Sequence, residues 1–341
     1  MADIIFSIFI LAIFYFIIFY NTKRSPVSGR DDLLKRLNSM RGIFAVEIVI
    51  GHVVRYENTI LYPLGKFMII SVAFFFFVSA FGMVISFQEK DNYLKGFLLV
   101  KLPYIFALAV ITFAVNVCMD LIYPKELGYC FKKGNLIFHF LSVTNWYLWE
   151  LALFYIVFFI VYKYIKKYRI LTVSIITTLF IGIIFQFGWK TKWYASAMAF
   201  PVGLAMGEYY LLLIQLLRSK KGKIVTIALI VMGLSSLLYG EKSLVGMVYM
   251  KNAMCLAGLC ILLYFSMNFV IGNKFNVFLG RYSTEIYLFQ FVYLNMAGKM
   301  QVDWKMQLII VVISTLLTAC IMHPLFNIVK LKIGYIKYIK L

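Results

Sequence analysis

Ser39-Met-Arg-Gly-Ile-Phe-Ala-Val-Glu-Ile-Val-Ile-Gly-His52 is the stretch on which the reading of this chain turns. It begins polar and basic, becomes an apolar helix, and takes Arg41, Glu47 and His52 with it. At about 100° per residue, the path from Arg41 to His52 makes three turns plus roughly 20°, so the two share a face roughly 16 Å apart along the axis. Arg55, three residues past His52, falls on the same side. Ionisable groups cost several kcal/mol at membrane depth and commonly mark a pathway or a site.

The surroundings of this stretch are apolar enough to make lipid its solvent. Hydrophobic residues are 63% of the chain and charged ones 14%, a balance foreign to soluble domains. With about 20 apolar residues per crossing, spans are expected near 4–20, 42–56, 67–87, 102–122, 146–162, 170–188, 194–216, 224–240, 252–271, 286–300 and 307–327. The expected fold class is therefore all-α, a polytopic transmembrane helical bundle of about 10–11 spans. Asp3, in place of basic residues before the first apolar run, and the lack of a small-residue cleavage site after it argue against a cleavable signal peptide.

The net charge of +20 does not point to nucleic acid, because the Lys and Arg residues lie between apolar runs, where membrane topology accounts for them. They crowd alternate connections, with 21–41 the richest, which places the N-terminus outside and the C-terminus in the cytoplasm of a multi-pass cell-membrane protein. Residues 1–32 read as an added helix and basic linker, 33–330 as the membrane domain and 331–341 as a basic tail. The five cysteines form no Cys-x-x-Cys pair, and neither a disulfide framework nor a metal site is expected.

Each candidate residue has a plain reading beside a functional one. Arg41 is either a positive-inside anchor or a bidentate ligand for phosphate. His52 is either hydrogen-bonded between helices or a base that accepts a hydroxyl proton. Glu150, one turn beyond Trp146, either orients an acceptor hydroxyl or makes an interhelical hydrogen bond. Glu208, near Gly203 and Gly207, reads as packing plus one buried hydrogen bond. His323, beside Pro324, reads as satisfying a kinked backbone. The loop residues Lys132, Lys133 and His139 read as solvated, next to an apolar, interfacial stretch at 136–143.

Leu37 to His52, with Arg, ten residues and then His, resembles the opening signature of the membrane acyltransferase-3 family, whose members move acyl groups onto cell-envelope sugars. Further elements follow in the family's order. Phe76-Phe-Val-Ser79-Ala-Phe81 is similar to its Phe-Phe-x-x-Ser-Gly-Phe element, and Lys101-Leu-Pro103 to its Arg-hydrophobic-x-Pro step. Asn145-Trp146-Tyr147-Leu148 to Tyr155 resembles its Trp-aromatic-Leu helix, and Leu279 to Ser283 with Ile286-Tyr287-Leu288 its late element. Ala80, Lys101 and Gln290 depart from the family's Gly, Arg and frequent His. Gln290 cannot carry a proton.

The resemblance implies an O-acyltransferase that takes an acyl group, most simply acetyl from acetyl-CoA, to a hydroxyl of an envelope glycan or lipid-linked saccharide. It implies His52 and Arg41 as the catalytic pair. Lys101, Glu47, Arg55, Trp146, Glu150, Ser79 and Tyr287 are the substrate-binding candidates. Acyl-CoA is a substrate and no bound cofactor is implied; the partners are that donor, the saccharide and membrane lipids. Oligomeric state stays open, a homo-oligomer included. The rival is a transporter or flippase of lipid-linked saccharides, using Glu47, Arg55, Glu150 and Glu208 along a polar route. A glycan polymerase or ligase would call for a larger outer loop than this chain has.

Overall fold

The computed structural model describes residues 2–55, 57, 59–122, 140, 146–239, 245–271, 273–300 and 302–339. Lys132, Lys133, His139 and nearly all of the expected interfacial stretch at 136–143 fall outside these. The helices are α1 (Ala2–Phe19), α2 (Arg30–Val54), α3 (Tyr62–Glu89), α4 (Phe97–Ile122), α5 (Trp146–Tyr164), α6 (Arg169–Gln186), α7 (Ala199–Glu208), α8 (Tyr210–Arg218), α9 (Lys220–Tyr239), α10 (Lys251–Asn268), α11 (Lys274–Arg281), α12 (Ser283–Lys299) and α13 (Trp304–Ile339). The chain is an all-α polytopic bundle. The two strands among the described residues, β1 (Lys23–Arg24) and β2 (Phe269–Val270), form one short antiparallel ladder.

Each expected span corresponds to helix. Among the described residues, seven helices are long and apolar enough to cross a membrane, or eight if a bent pair forms one span. The expected spans at 4–20, 224–240 and 286–300 correspond to α1, α9 and α12; α12, 17 residues long and holding Glu285 and Gln290, is short and polar for a crossing. The expected straight span at 194–216 is two helices, α7 and α8, bent by 107°.

The helix carrying the decisive stretch also starts much earlier than expected. Leu33, Leu37 and Met40 are buried, and Asp31 and Asp32 occupy the first turn, where carboxylates suit the helix dipole. Arg41 therefore sits halfway along α2 and His52 in its last turn, rather than at a mouth and a midpoint.

α3 returns antiparallel to α2 through contacts that small residues permit. Gly51 faces Leu64 and Met68, while Gly65 faces the backbone of Arg55. Phe44 packs on Phe74 with ring centroids 4.3 Å apart. α7 lies against the far side of α3, with Gly203 at the Phe77 carbonyl and Gly207 at Val84, so the expected role of these glycines in close helix approach is borne out. α11 presses Leu279 and the Gly280 nitrogen onto Gly42. Outward faces of α6, α9 and α13 expose Leu179, Ile183, Ile227, Leu317 and Ile321, as lipid-facing surfaces do.

The linker after α1 is strapped down. Arg36 is 6% exposed; its guanidinium pairs with Asp32 at 2.8 Å and donates to the carbonyls of Ser25, Pro26, Ser266 and Phe269. Asn273 and Asn276 donate to the carbonyls of Ile17, Ile18 and Tyr20 at the end of α1, groups that a helix end leaves without partners.

Candidate functional site

The polar groups of the interior collect at two levels of α2. At the level of Arg41, α2, α3, α4, α5, α12 and α13 converge. The guanidinium lies over the Phe75 ring at 5.8 Å. Phe75 meets Tyr147 and Tyr287, whose centroids are 5.1 Å apart. The Arg41 charge also acts on the Tyr104 and Tyr147 hydroxyls. Arg41 has no acidic partner within ion-pair distance among the described residues, and its buried Nε has no hydrogen-bond partner. A half-buried guanidinium with unused donors is equipped to take an anion.

Lys101, in the second turn of α4, adds to this level. Its ammonium stands 5.6 Å from the Tyr155 ring centre, and the Tyr155 hydroxyl shares a 3.2 Å hydrogen bond with Ser79. Arg41, Ser79, Lys101 and Tyr287, chosen from widely separated stretches, are thus brought together. One neighbour escaped the sequence reading. Glu285, almost fully buried at the start of α12, meets His323 Nδ1 of α13 through Oε1 at 2.6 Å. The Tyr282 ring packs on that imidazole at 4.6 Å. His323 is therefore half of a His–Glu pair, and the expectation that it satisfies a kinked backbone is corrected. A lone acid opening an apolar helix was the available signal for Glu285.

At the other level, His52 is half-buried, its ring edge-on to Phe291 at 4.9 Å. Among the described residues it makes no side-chain hydrogen bond, so the interhelical bond of its plain reading is not formed. Arg55 and Lys192 act on it electrostatically. Trp146, 9% exposed, lies beneath the Lys192 ammonium at 6.0 Å and beside Trp193 at 6.0 Å. Lys192 also escaped the sequence reading; its signal was the alternation of aromatic and basic residues in Trp189-Lys-Thr-Lys-Trp193.

Between the levels, the shared face of α2 carries Ala45 and Ile48, both fully buried. The face of α2 between Arg41 and His52 is thus packed with apolar side chains and carries no polar group of its own. Glu47 is half-buried and hydrogen-bonded by the Ser71 hydroxyl, which ties it to α3. Glu150 is 1% exposed, and neither of its carboxylate oxygens has a partner among the described residues; its expected interhelical hydrogen bond is absent. Glu208 pairs with Arg169 at 3.7 Å. Gln290 is wholly buried and donates to the Tyr287 carbonyl at 2.9 Å, which props the Tyr287 backbone. The described residues hold no cluster of His, Cys, Asp and Glu able to ligate a metal.

A family model described as an acyltransferase domain, acyltransferase-3, matches residues 34–324. No curated protein and no solved structure matches the chain.

Proposed function

The chain belongs to the acyltransferase-3 family and is a membrane acyltransferase, and we propose that it moves an acyl group, most simply acetyl, from acyl-CoA to a hydroxyl of an envelope glycan or lipid-linked saccharide. The carrying observation is that Arg41 and His52, on one face of α2, both keep unused hydrogen-bonding capacity. The donor's phosphates meet Arg41 and Lys101 from the side of the basic linker, taken as cytoplasmic. The thin pantetheine arm then passes the apolar wall of Ala45 and Ile48 and brings the thioester toward His52.

At that point the acceptor hydroxyl attacks the thioester carbonyl while the His52 imidazole takes its proton. The carbon–sulfur bond breaks and the leaving thiolate recovers the proton, giving the ester and free CoA. General-base help of this kind is worth about 10² to 10⁴ in rate, and holding both substrates in place contributes several kcal/mol more. Glu47 and Glu208, which a transport route would use, are engaged with Ser71 and Arg169, and this favours the transferase over the flippase reading.

The test is CoA release from acetyl-CoA by the purified protein supplied with host envelope saccharide. His52→Ala is expected to abolish release while leaving expression intact. Arg41→Gln is expected to raise KM for acetyl-CoA about 10- to 100-fold, the equivalent of losing a charged hydrogen bond of about 1.5–3 kcal/mol. Undiminished turnover in His52→Ala removes the base assignment.

A further inference from the structure

The connection between α6 and α7 is built as a platform. Gly188 turns the chain at φ 67°, and a 3-10 turn over Thr191–Trp193 follows. Directly after it, Tyr194 and Ala195 plunge into the core. Asn252 of α10, itself 5% exposed, latches this descent. Its Nδ2 donates to the Tyr194 carbonyl at 2.9 Å and its Oδ1 accepts from the Met198 N–H at 3.2 Å. Cys255 Sγ donates to the Ala195 carbonyl at 3.3 Å. A loop whose foot is tied this way holds its crown still.

The crown is aromatic and cationic. Trp189 stands edge-on to Trp193 at 4.9 Å, and Trp193 leans on Trp146 at 6.0 Å. Lys190 and Lys192 are exposed, and neither forms an ion pair among the described residues. Lys192 instead rests on the Trp146 face, within electrostatic reach of Lys190 and Arg55. With the basic linker in the cytoplasm, this cluster lies on the opposite side of the membrane, where retention of positive charge does not explain it. Indole faces suit the C–H faces of a sugar ring, and ammonium groups suit a carboxylate or phosphate.

We propose that Trp193, Lys190 and Lys192, backed by the buried Trp146, form an acceptor-side subsite for a negatively charged saccharide, the ring lying on the Trp193 indole and the anionic substituent between the lysines. Its place beside His52 as the acceptor's site rests on the acyl-transfer reading; the binding itself does not. A neutral sugar uses the Trp193 indole alone and binds more weakly.

The experiment titrates the tryptophan fluorescence of the full chain, in phosphatidylcholine nanodiscs, with a hyaluronan tetrasaccharide, which carries carboxylates, and with neutral chitotetraose. The hyaluronan probe is expected to half-saturate at a concentration at least tenfold lower. High salt and Lys190→Gln/Lys192→Gln are expected to erase that gap, and Trp193→Ala to remove the response to both sugars with the thermal midpoint retained. Equal half-saturation, no response, or a preference that survives the double Lys variant overturns the proposal. So does a response to phosphatidylglycerol in the nanodisc with none to sugar, which assigns the cations to lipid. CoA release from acetyl-CoA, measured on the same samples, separates the two readings. With host envelope saccharide also supplied, anionic preference without release keeps the subsite and ends the acyl-CoA reading; release without preference keeps that reading and ends the subsite.

Discussion

Gly42 lies one residue from Arg41 at the crossing of α2 and α11, and adding a single methyl there is a sharp perturbation. A Cβ on Gly42 would overlap the carbonyl carbon and Cβ of Leu279 and come within 2.5 Å of the Gly280 nitrogen. Two of these three atoms are backbone, so no rotamer change relieves the clash and α11 must move away. Overpacking of this kind costs about 1–3 kcal/mol. Gly82 is the internal control: a Cβ there meets nothing nearer than Leu34 Cδ2 at 3.8 Å, and Ala is preferred over Gly in a helix interior by up to about 1 kcal/mol. Gly42→Ala is thus expected to lower the thermal midpoint in detergent while Gly82→Ala holds or raises it, the two differing by about 2–4 kcal/mol. CoA release is expected to fall with Gly42→Ala alone, because α11 leads into α12, which carries Glu285 and Tyr287. Matching midpoints and rates in the two variants would refute the crossing as a determinant of stability and of the Arg41 level.

Arg36→Ala removes a buried guanidinium and leaves Asp32 and several carbonyls without it; a loss of about 3–5 kcal/mol is expected, with faster tryptic cleavage after Lys23 and Arg24 in detergent as the readout. Glu285→Gln keeps the shape of the His323 contact but removes its charge; a rise in KM for acyl-CoA with little change in midpoint is expected, since Glu285 and Arg41 both act on Tyr104, and an unchanged KM would make the pair purely structural.

The fold class was legible because apolar runs of span length leave few alternatives, and Gly203 and Gly207 announced a close helix approach. The start of α2 was not, since Arg36 looks like a solvated linker charge until the carbonyls of Ser266 and Phe269, more than 200 residues later, are brought to it. The bend between α7 and α8 was equally hidden, because no Pro stands at the break beside Tyr209. Of the candidate site, the members sharing α2 followed from helical periodicity alone. Ser79, Lys101 and Tyr287 came through the family resemblance, and the structure groups them at one level. Glu285 with His323, and Lys192 with Trp146, are pairings across the chain that no local spacing encodes. Glu150 invited a polar partner and has none among the described residues, a reminder that hydrogen-bonding capacity names a need and not its fulfilment.

The tether of α1 has a consequence for biogenesis. Its ladder partners Phe269 and Val270, its carbonyl donors Asn273 and Asn276, and the Trp304 and Lys305 that meet Phe6 and Asp3 all emerge some 250 residues after it. At about 5–20 residues per second of synthesis, α1 waits on the order of 10–50 s before these partners exist. It must therefore persist alone in lipid, and its uniformly greasy surface suits that interval as well as the finished assembly.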